Sequence, residues 1–300
     1  MAYTEIKEVN GKKYYYRAKS VREGSMVKKE RIYLGADLTK DAVSKKEKEA
    51  DKELMVLSSL LSEKEIKTLE KIKGEYSKQP KGNLESKYEA FCSLFTYNST
   101  AIEGNTLTLQ EIAQLLFEKT VPASKSLREI NEAINHKEAF DAIINAKEVI
   151  SKKFILKLHI TVVKNAINQE LEDQIGRYRT IQVYIRGVEW LPTKPKGVPK
   201  EMKALLSWYS KKKDELHPLI TAAYFHSAFE MIHPFVDGNG RVGRLLMNFI
   251  LRRNGYPMIN ILNSRKNEYY KALQAAQEQG RLRPFIEFLL SLLEEEKIKF

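Results

Sequence analysis

One cysteine in 300 residues leaves no route to an internal disulfide or a thiolate metal cage. That residue, Cys92 in "YEAFCSLF", sits among core-like neighbours and reads as buried filler. No apolar run reaches the roughly 18 residues a membrane helix needs, and the opening "MAYTEIKEVNGKKYYYRAK" lacks the apolar middle of a secretory signal. The expectation is a soluble, cytoplasmic chain with no membrane partner. No GxxxxGK[ST] loop occurs, which excludes a Walker-type phosphate site. Internal repeats and low-complexity linkers are absent too.

What is present is charge and helical periodicity. The net charge of +12 comes from lysines that are spread rather than massed. "KKEKEADKE" and "SEKEIKTLEKIK" alternate sign at helical spacing, as solvated helix faces do, so dedicated nucleic-acid binding is not expected. With 43% hydrophobic residues a sizeable core is affordable. "KKYYYRAKSVREGSMVKKERIYLG" places β-formers on both sides of a Gly-Ser turn and predicts a small hairpin at about residues 10–35. From there apolar residues recur at three-and-four spacing in segment after segment. Among them "SLREINEAINHKEAFDAIINAKEVI" is opened by a Ser126 cap with Glu129 three residues on. "IGRYRTIQVYIRGVEWLPTKP" interrupts the helices with alternation and a Pro-rich exit, predicting a hairpin or flap over 176–192. The fold class expected is mainly α, with an N-terminal extension over 1–40 and a helical domain over 41–300.

"HPFVDGNGRVGR", residues 233–244, carries the chemistry. It lies between two apolar helical segments, so Pro234 to Gly240 must form a tight loop. Asp-Gly-Asn-Gly accepts positive φ, which turns successive amides inward as an anion-binding nest. Arg241 and Arg244, three apart on the following helix, face the same side and suit a polyphosphate. Asp237 would repel that anion unless it held a hard cation such as Mg2+. His233 is then the one group near the phosphate that titrates near neutral pH, placed to act as general base on an incoming hydroxyl. The competing reading of these residues is an ordinary turn with a helix-end histidine.

The stretch resembles the HPFx(D/E)GNGRxxR signature of the Fic domain, in the Fido superfamily, and matches it at every defined position. The resemblance extends over most of residues 85–295. It implies a Fic-type helical bundle that moves AMP from ATP to a Ser, Thr or Tyr hydroxyl of a protein. His233 would be the base, Asp237 the Mg2+ ligand, and Gly238, Asn239 and Gly240 the phosphate nest, with Arg241 and Arg244 on the phosphates. Tyr269 and Tyr270 in "NEYYKAL" resemble the segment around the nucleotide base, and are adenosine contacts or core aromatics. Val183, Tyr184, Ile185 and Arg186 resemble the flap that docks an extended target segment.

"YNSTAIEGNTLT" resembles the family's inhibitory [S/T]xxxE[G/N] motif through Ser99, Glu103 and Gly104, within 97–106. Lying N-terminal to the core, it implies an inhibitory helix carried in the same chain, with Glu103 pairing Arg244. Self-modification, a homodimer, AMP removal and transfer of another phosphate-containing group are all compatible with the resemblance. A basic module that binds nucleotide or nucleic acid without turnover is the reading from a different class. His226 and His159 read as packing residues rather than metal ligands.

Overall fold

A computed structural model of the chain describes residues 2–9, 11–23, 26–54, 57–79, 84–185, 188 and 190–295. These divide into two compact units, Met1–Ser62 and Glu63–Phe300.

The first unit is an antiparallel sheet in the order β1 (Ala2–Val9), β2 (Lys12–Glu23), β3 (Met26–Ala36), followed by helix α1 (Lys40–Leu54). The expected hairpin is therefore the β2–β3 pair, with β1 added on the β2 side in a register that sets Ile6 opposite Tyr15. A register shift between Tyr15 and Tyr16 brings Tyr16 and Tyr33 to 5.3 Å between ring centroids. α1 belongs with the sheet: Lys46 Nζ donates to the Leu34 carbonyl at 2.6 Å, and Glu47 accepts from Arg17 and Thr4. For that reason the unit ends at Ser62, whereas the sequence suggested a boundary at residue 40.

The second unit is helical: α2 (Glu63–Ser77), α3 (Leu84–Ile102), α4 (Leu109–Ala113), α5 (Leu127–Asn145), α6 (Lys152–Val163), α7 (Val198–Lys212), α8 (Pro218–Ile232), α9 (Asn239–Arg253), α10 (Lys266–Gln279) and α11 (Arg283–Glu295). The capping box read at Ser126 forms as expected, Ser126 Oγ accepting from Glu129 N at 3.2 Å. A second box, Thr108 with Glu111, opens α4.

α8 and α9 are the centre. α8 buries Leu219, Ile220, Phe225, Phe229 and Ile232, α9 buries every residue from Arg241 to Leu251, and α10 and α11 pack against α8 while α5 and α6 pack against α9. α8 is apolar nearly all round and so has to be enclosed by its neighbours, whereas α9 buries Arg241, Arg244 and Asn248 along with its apolar residues. The loop joining this enclosed pair is thus held on rigid elements. No helix among the described residues is long and apolar enough to cross a membrane.

Candidate active site

His233 caps α8 in the left-handed conformation, φ 51° and ψ 65°, with its amide donating to the Phe229 carbonyl at 2.9 Å. A residue with a Cβ adopts that conformation only when its surroundings hold it there. The holder is Arg179, fully buried, which donates from Nε to the His233 carbonyl at 2.7 Å and from its backbone amide to Pro234 at 2.9 Å. Its other nitrogens reach the carbonyls of Ile181 (2.9 Å) and Thr193. The guanidinium thus sits at the negative end of the α8 dipole and ties it to the flap segment at Ile181 and to the chain just beyond it at Thr193.

The His233 ring places Nδ1 3.2 Å from the Glu230 carbonyl. A carbonyl only accepts, so Nδ1 carries the hydrogen and Nε2 keeps a free lone pair. Burial pushes the imidazole down to about 4, against the pull of that carbonyl, so it is neutral at pH 7.

The loop that follows differs from the expected nest. Only Gly238 takes a positive φ (80°); Asn239 and Gly240 already belong to α9. The first α9 hydrogen bond runs from Val242 N to the Gly238 carbonyl, so the amides of Asn239, Gly240 and Arg241 have no acceptor within the helix. What the loop offers an anion is therefore the helix N-terminus rather than a nest. Asn239 does not face it. Its side chain folds back on Phe235, accepting from the amide and donating to the carbonyl, both at 2.9 Å. Phe235 in turn stacks on His159 at 3.7 Å and 2°. His159 accepts from Gly176 N on Nδ1 (3.2 Å), so its Nε2 donates to the Asp237 carbonyl (3.2 Å). Read from sequence as a packing residue, it is one, and it also couples the loop to the start of the flap.

The two arginines diverge, contrary to the expectation of a shared face. Arg241 turns to Asp237 Oδ1 (3.0 Å) and toward Glu132 of α5 (3.7 Å). Arg244 turns to α3: its Nε donates to Ser99 Oγ at 3.0 Å, and its Nη2 donates to the Ser99 carbonyl at 2.7 Å and to Glu103 Oε1 at 2.8 Å. Burial opposes the charge on Arg244, but Glu103 beside it prevails and holds its pKa above the ordinary value. Glu103 lies just past the end of α3, where Gly104 takes φ 103°. Its Oε1 comes within 2.1 Å of where a Cβ on Gly240 would stand. The carboxylate therefore lies over the first turn of α9, where an anion would bind.

Around these groups is a cavity of about 790 Å³ lined by His233, Asp237 to Gly240, Arg244 and Glu103, and not by Arg241. That is room for a nucleotide. Tyr269 is buried, its hydroxyl 2.8 Å from His226 Nε2, and meets the cavity with one edge. Tyr270 is half-exposed at the rim, 3.5 Å from the Ile102 carbonyl. Lys266, Lys271 and Gln277 also line the space.

Over 176–192 the described residues form no strand ladder, so the expected hairpin is not seen there; the carbonyls of Ile181 and, just beyond, Thr193 accept from Arg179. Ile185 reaches the cavity, Tyr184 is exposed and Val183 half-buried; Arg186 lies outside the described residues. Among the described residues no cluster of three or more metal-ligating side chains occurs. Three carboxyl residues line the cavity, Glu103, Glu230 and Asp237; Glu103 is paired with Arg244 and Glu230 is buried, so Asp237 is the one open to a hard cation. Its Oδ1 is engaged by Gly238 N (2.6 Å) and Arg241, and its Oδ2 has a 3.4 Å contact with Arg128.

The cavity thus brings together a neutral histidine, a helix N-terminus and a buried arginine on a helical scaffold. The profile of the Fic/DOC family matches residues 149–251, from just before α6 into α9. Fic-1 from Caenorhabditis elegans superposes with a TM-score of 0.68 at 32% identity, covering 77% of this chain and 68% of that one. A Fic domain containing signaling protein from Bacteroides thetaiotaomicron gives 0.68 at 30% identity, covering 76% and 93%. The chain belongs to the Fic/DOC family. Protein adenylyltransferase Fic of Nematostella vectensis is 38% identical over 198 residues, 64% of this chain and 45% of that protein. Against fic-1 of C. elegans the identity is 35% over 202 residues, 65% and 38%. The chain thus spans less than half the length of these two curated relatives.

Proposed function

We propose that this chain transfers AMP from ATP to a Ser, Thr or Tyr hydroxyl of a protein, and that Glu103 restrains the reaction. The observation that carries the reading is the Glu103 carboxylate lying against Gly240 and Arg244, where a triphosphate would be held. With Glu103 withdrawn, the free amides of α9 and the Arg244 guanidinium are open to phosphate oxygens. The free Nε2 of His233 accepts the proton of the attacking hydroxyl, whose oxygen bonds to the α-phosphorus as pyrophosphate leaves. The helix N-terminus offsets charge growing on the phosphoryl oxygens.

Asp237 would hold Mg2+. Of the three carboxyl residues that line the cavity, Glu103 is paired with Arg244 and Glu230 is buried, which leaves Asp237, completed by phosphate oxygens and water, as a donor set that ion takes. When bound, the ion would offset negative charge on the phosphates. Arg241, engaged with Asp237 and Glu132, positions that carboxylate rather than touching nucleotide. Ile185, Val188 and Trp190 form the wall across which a target segment would lie, and the chain's own hydroxyls are candidates alongside a partner's.

The test uses α-labelled ATP with Mg2+ and cell extract. Glu103→Gly is expected to transfer label to protein at a rate at least about tenfold above the unsubstituted chain, and Glu103→Gly/His233→Ala to transfer none. Label that survives the loss of His233 removes the mechanism. Nucleotide binding with no label in any variant favours a binding module. A pre-adenylylated target losing AMP with Glu103 intact assigns the opposite direction.

A further inference from the structure

Glu230 is a buried carboxyl that the mechanism above does not use. It lies one turn before His233 on α8, with Oε2 3.7 Å from His233 Nδ1. Its Oε1 has no hydrogen-bond partner among the described residues and stands 2.4 Å from where a Cβ on Gly243 would be, directly against the α9 backbone beside Arg244. A buried polar atom left without a partner is costly, so it calls for an explanation. Several groups bear on it from the packed elements: His226 and His233 on α8, Glu103 after α3, Arg244 on α9, and Tyr269 and Tyr270 on α10.

Charge balance supplies the explanation. Arg244 and Glu103 form an ion pair, so a second carboxylate in the same buried space would be unpaired. We propose that Glu230 is a positioning residue for His233, a neutral acid while Glu103 occupies Arg244 and the carboxylate that faces the His233 ring once Glu103 has left. Burial, reinforced by Glu103, pushes Glu230 up to about 8, while Arg244 works in the opposite direction. Removing Glu103 deletes one of the raising influences and leaves Arg244 uncompensated. Glu230 then releases its proton to solvent and restores neutrality.

The consequence falls on the base. His233 Nε2 takes the hydroxyl proton and the ring becomes imidazolium. Its Nδ1–H then faces a carboxylate, which favours the charged form. Glu103 also favours imidazolium, but it makes no ion pair with His233, so the closer carboxylate decides the sign. Glu103 would thus restrain the enzyme twice, by filling the anion position and by keeping Glu230 protonated.

This inference rests on the transferase reading, and its test does not require turnover. The His233 ring is titrated by NMR in the ligand-free full chain. In Glu103→Gly the ring pKa is expected to rise by at least about one unit, and in Glu103→Gly/Glu230→Gln to stay where the unsubstituted chain has it. Equal titration of the single and double variants overturns the proposal. Infrared spectroscopy gives a second measurement. At pH 7 the carbonyl stretch of a protonated carboxylic acid should be present in the unsubstituted chain, vanish in Glu230→Gln, and vanish in Glu103→Gly; its persistence in the last overturns the idea. With labelled ATP, adding Glu230→Gln to Glu103→Gly should lower kcat on the order of tenfold at an unchanged KM for ATP. The expected titrations without labelling in any variant would sink the transferase reading while leaving the Glu103–Glu230 linkage intact.

Discussion

Glu103 Oε1 accepts from Arg244 Nη2 at 2.8 Å, joining the residue after α3 to the second turn of α9 across 141 positions of sequence. Arg244 is buried and Glu103 partly exposed, so the acid can leave the pair by moving into solvent while the arginine cannot. An arginine left behind in low dielectric is a strong receptor for another anion. The pair is therefore both a lock and a prepared binding site.

Gly240 is where that arrangement is tightest. A Cβ there would meet Glu103 Oε1 at 2.1 Å and Arg244 Nη1 at 2.9 Å. Gly240→Ala is expected to expel Glu103 without activating the chain, because the methyl takes the anion's place. ATP affinity measured by calorimetry should fall at least about tenfold relative to Glu103→Gly. Affinity equal to that of Glu103→Gly would place the phosphates elsewhere.

Arg179 makes the second prediction. Its guanidinium satisfies carbonyls at the end of α8, within the flap at Ile181 and just after it at Thr193. Arg179→Met leaves them without donors and is expected to cost about 2–4 kcal/mol, read as a shift of the urea midpoint. Arg179→Lys keeps the charge but not the fork, and should recover only part of the loss. Full recovery by lysine would show that charge alone matters.

Asn239 is expected to act on stability as much as on binding. Asn239→Ala deletes both hydrogen bonds to Phe235 inside a buried loop, a loss of about 2–3 kcal/mol. Thermal melting checks it. A melting temperature equal to that of the unsubstituted chain would mean the side chain faces ligand instead.

Much of this was legible in sequence, and what escaped did so for identifiable reasons. Periodicity located the helices, and Ser126 with Glu129 marked where α5 begins. The loop motif pointed to residues that line one cavity. The roles within it were harder to read, because Gly240 serves close approach rather than a positive φ, and spacing alone does not separate the two. Arg241 and Arg244 are three apart on one helix, yet long side chains let each find a carboxylate on a different element. Glu230 and Arg179 matter through residues distant in sequence. A buried arginine bonded only to carbonyls leaves no spacing signature, whereas β1 was legible and overlooked: Asn10-Gly11 between Val9 and Lys12 is a hairpin signal as plain as the Gly-Ser pair between β2 and β3.

Acid sensitivity follows from the histidines. Burial pushes His159, His217 and His233 down to about 4, and His226 to about 3, from an ordinary value of 6.5. Between 6.5 and about 4 the unfolded chain takes up protons that the folded chain refuses, so stability falls as pH falls through that window. Each histidine contributes at most about 1.4 kcal/mol per pH unit. Urea midpoints should drop steadily from pH 7 to pH 4, and a flat profile over that range would contradict the buried, neutral assignments.

The central claim is that the Glu103 carboxylate holds the place of a triphosphate. Calorimetric binding of ATP with Mg2+ to the unsubstituted chain, to Glu103→Gln and to Glu103→Gly tests it most directly. Affinity is expected to rise in that order, by about tenfold or more between the first and the last. Equal affinity in all three would contradict it.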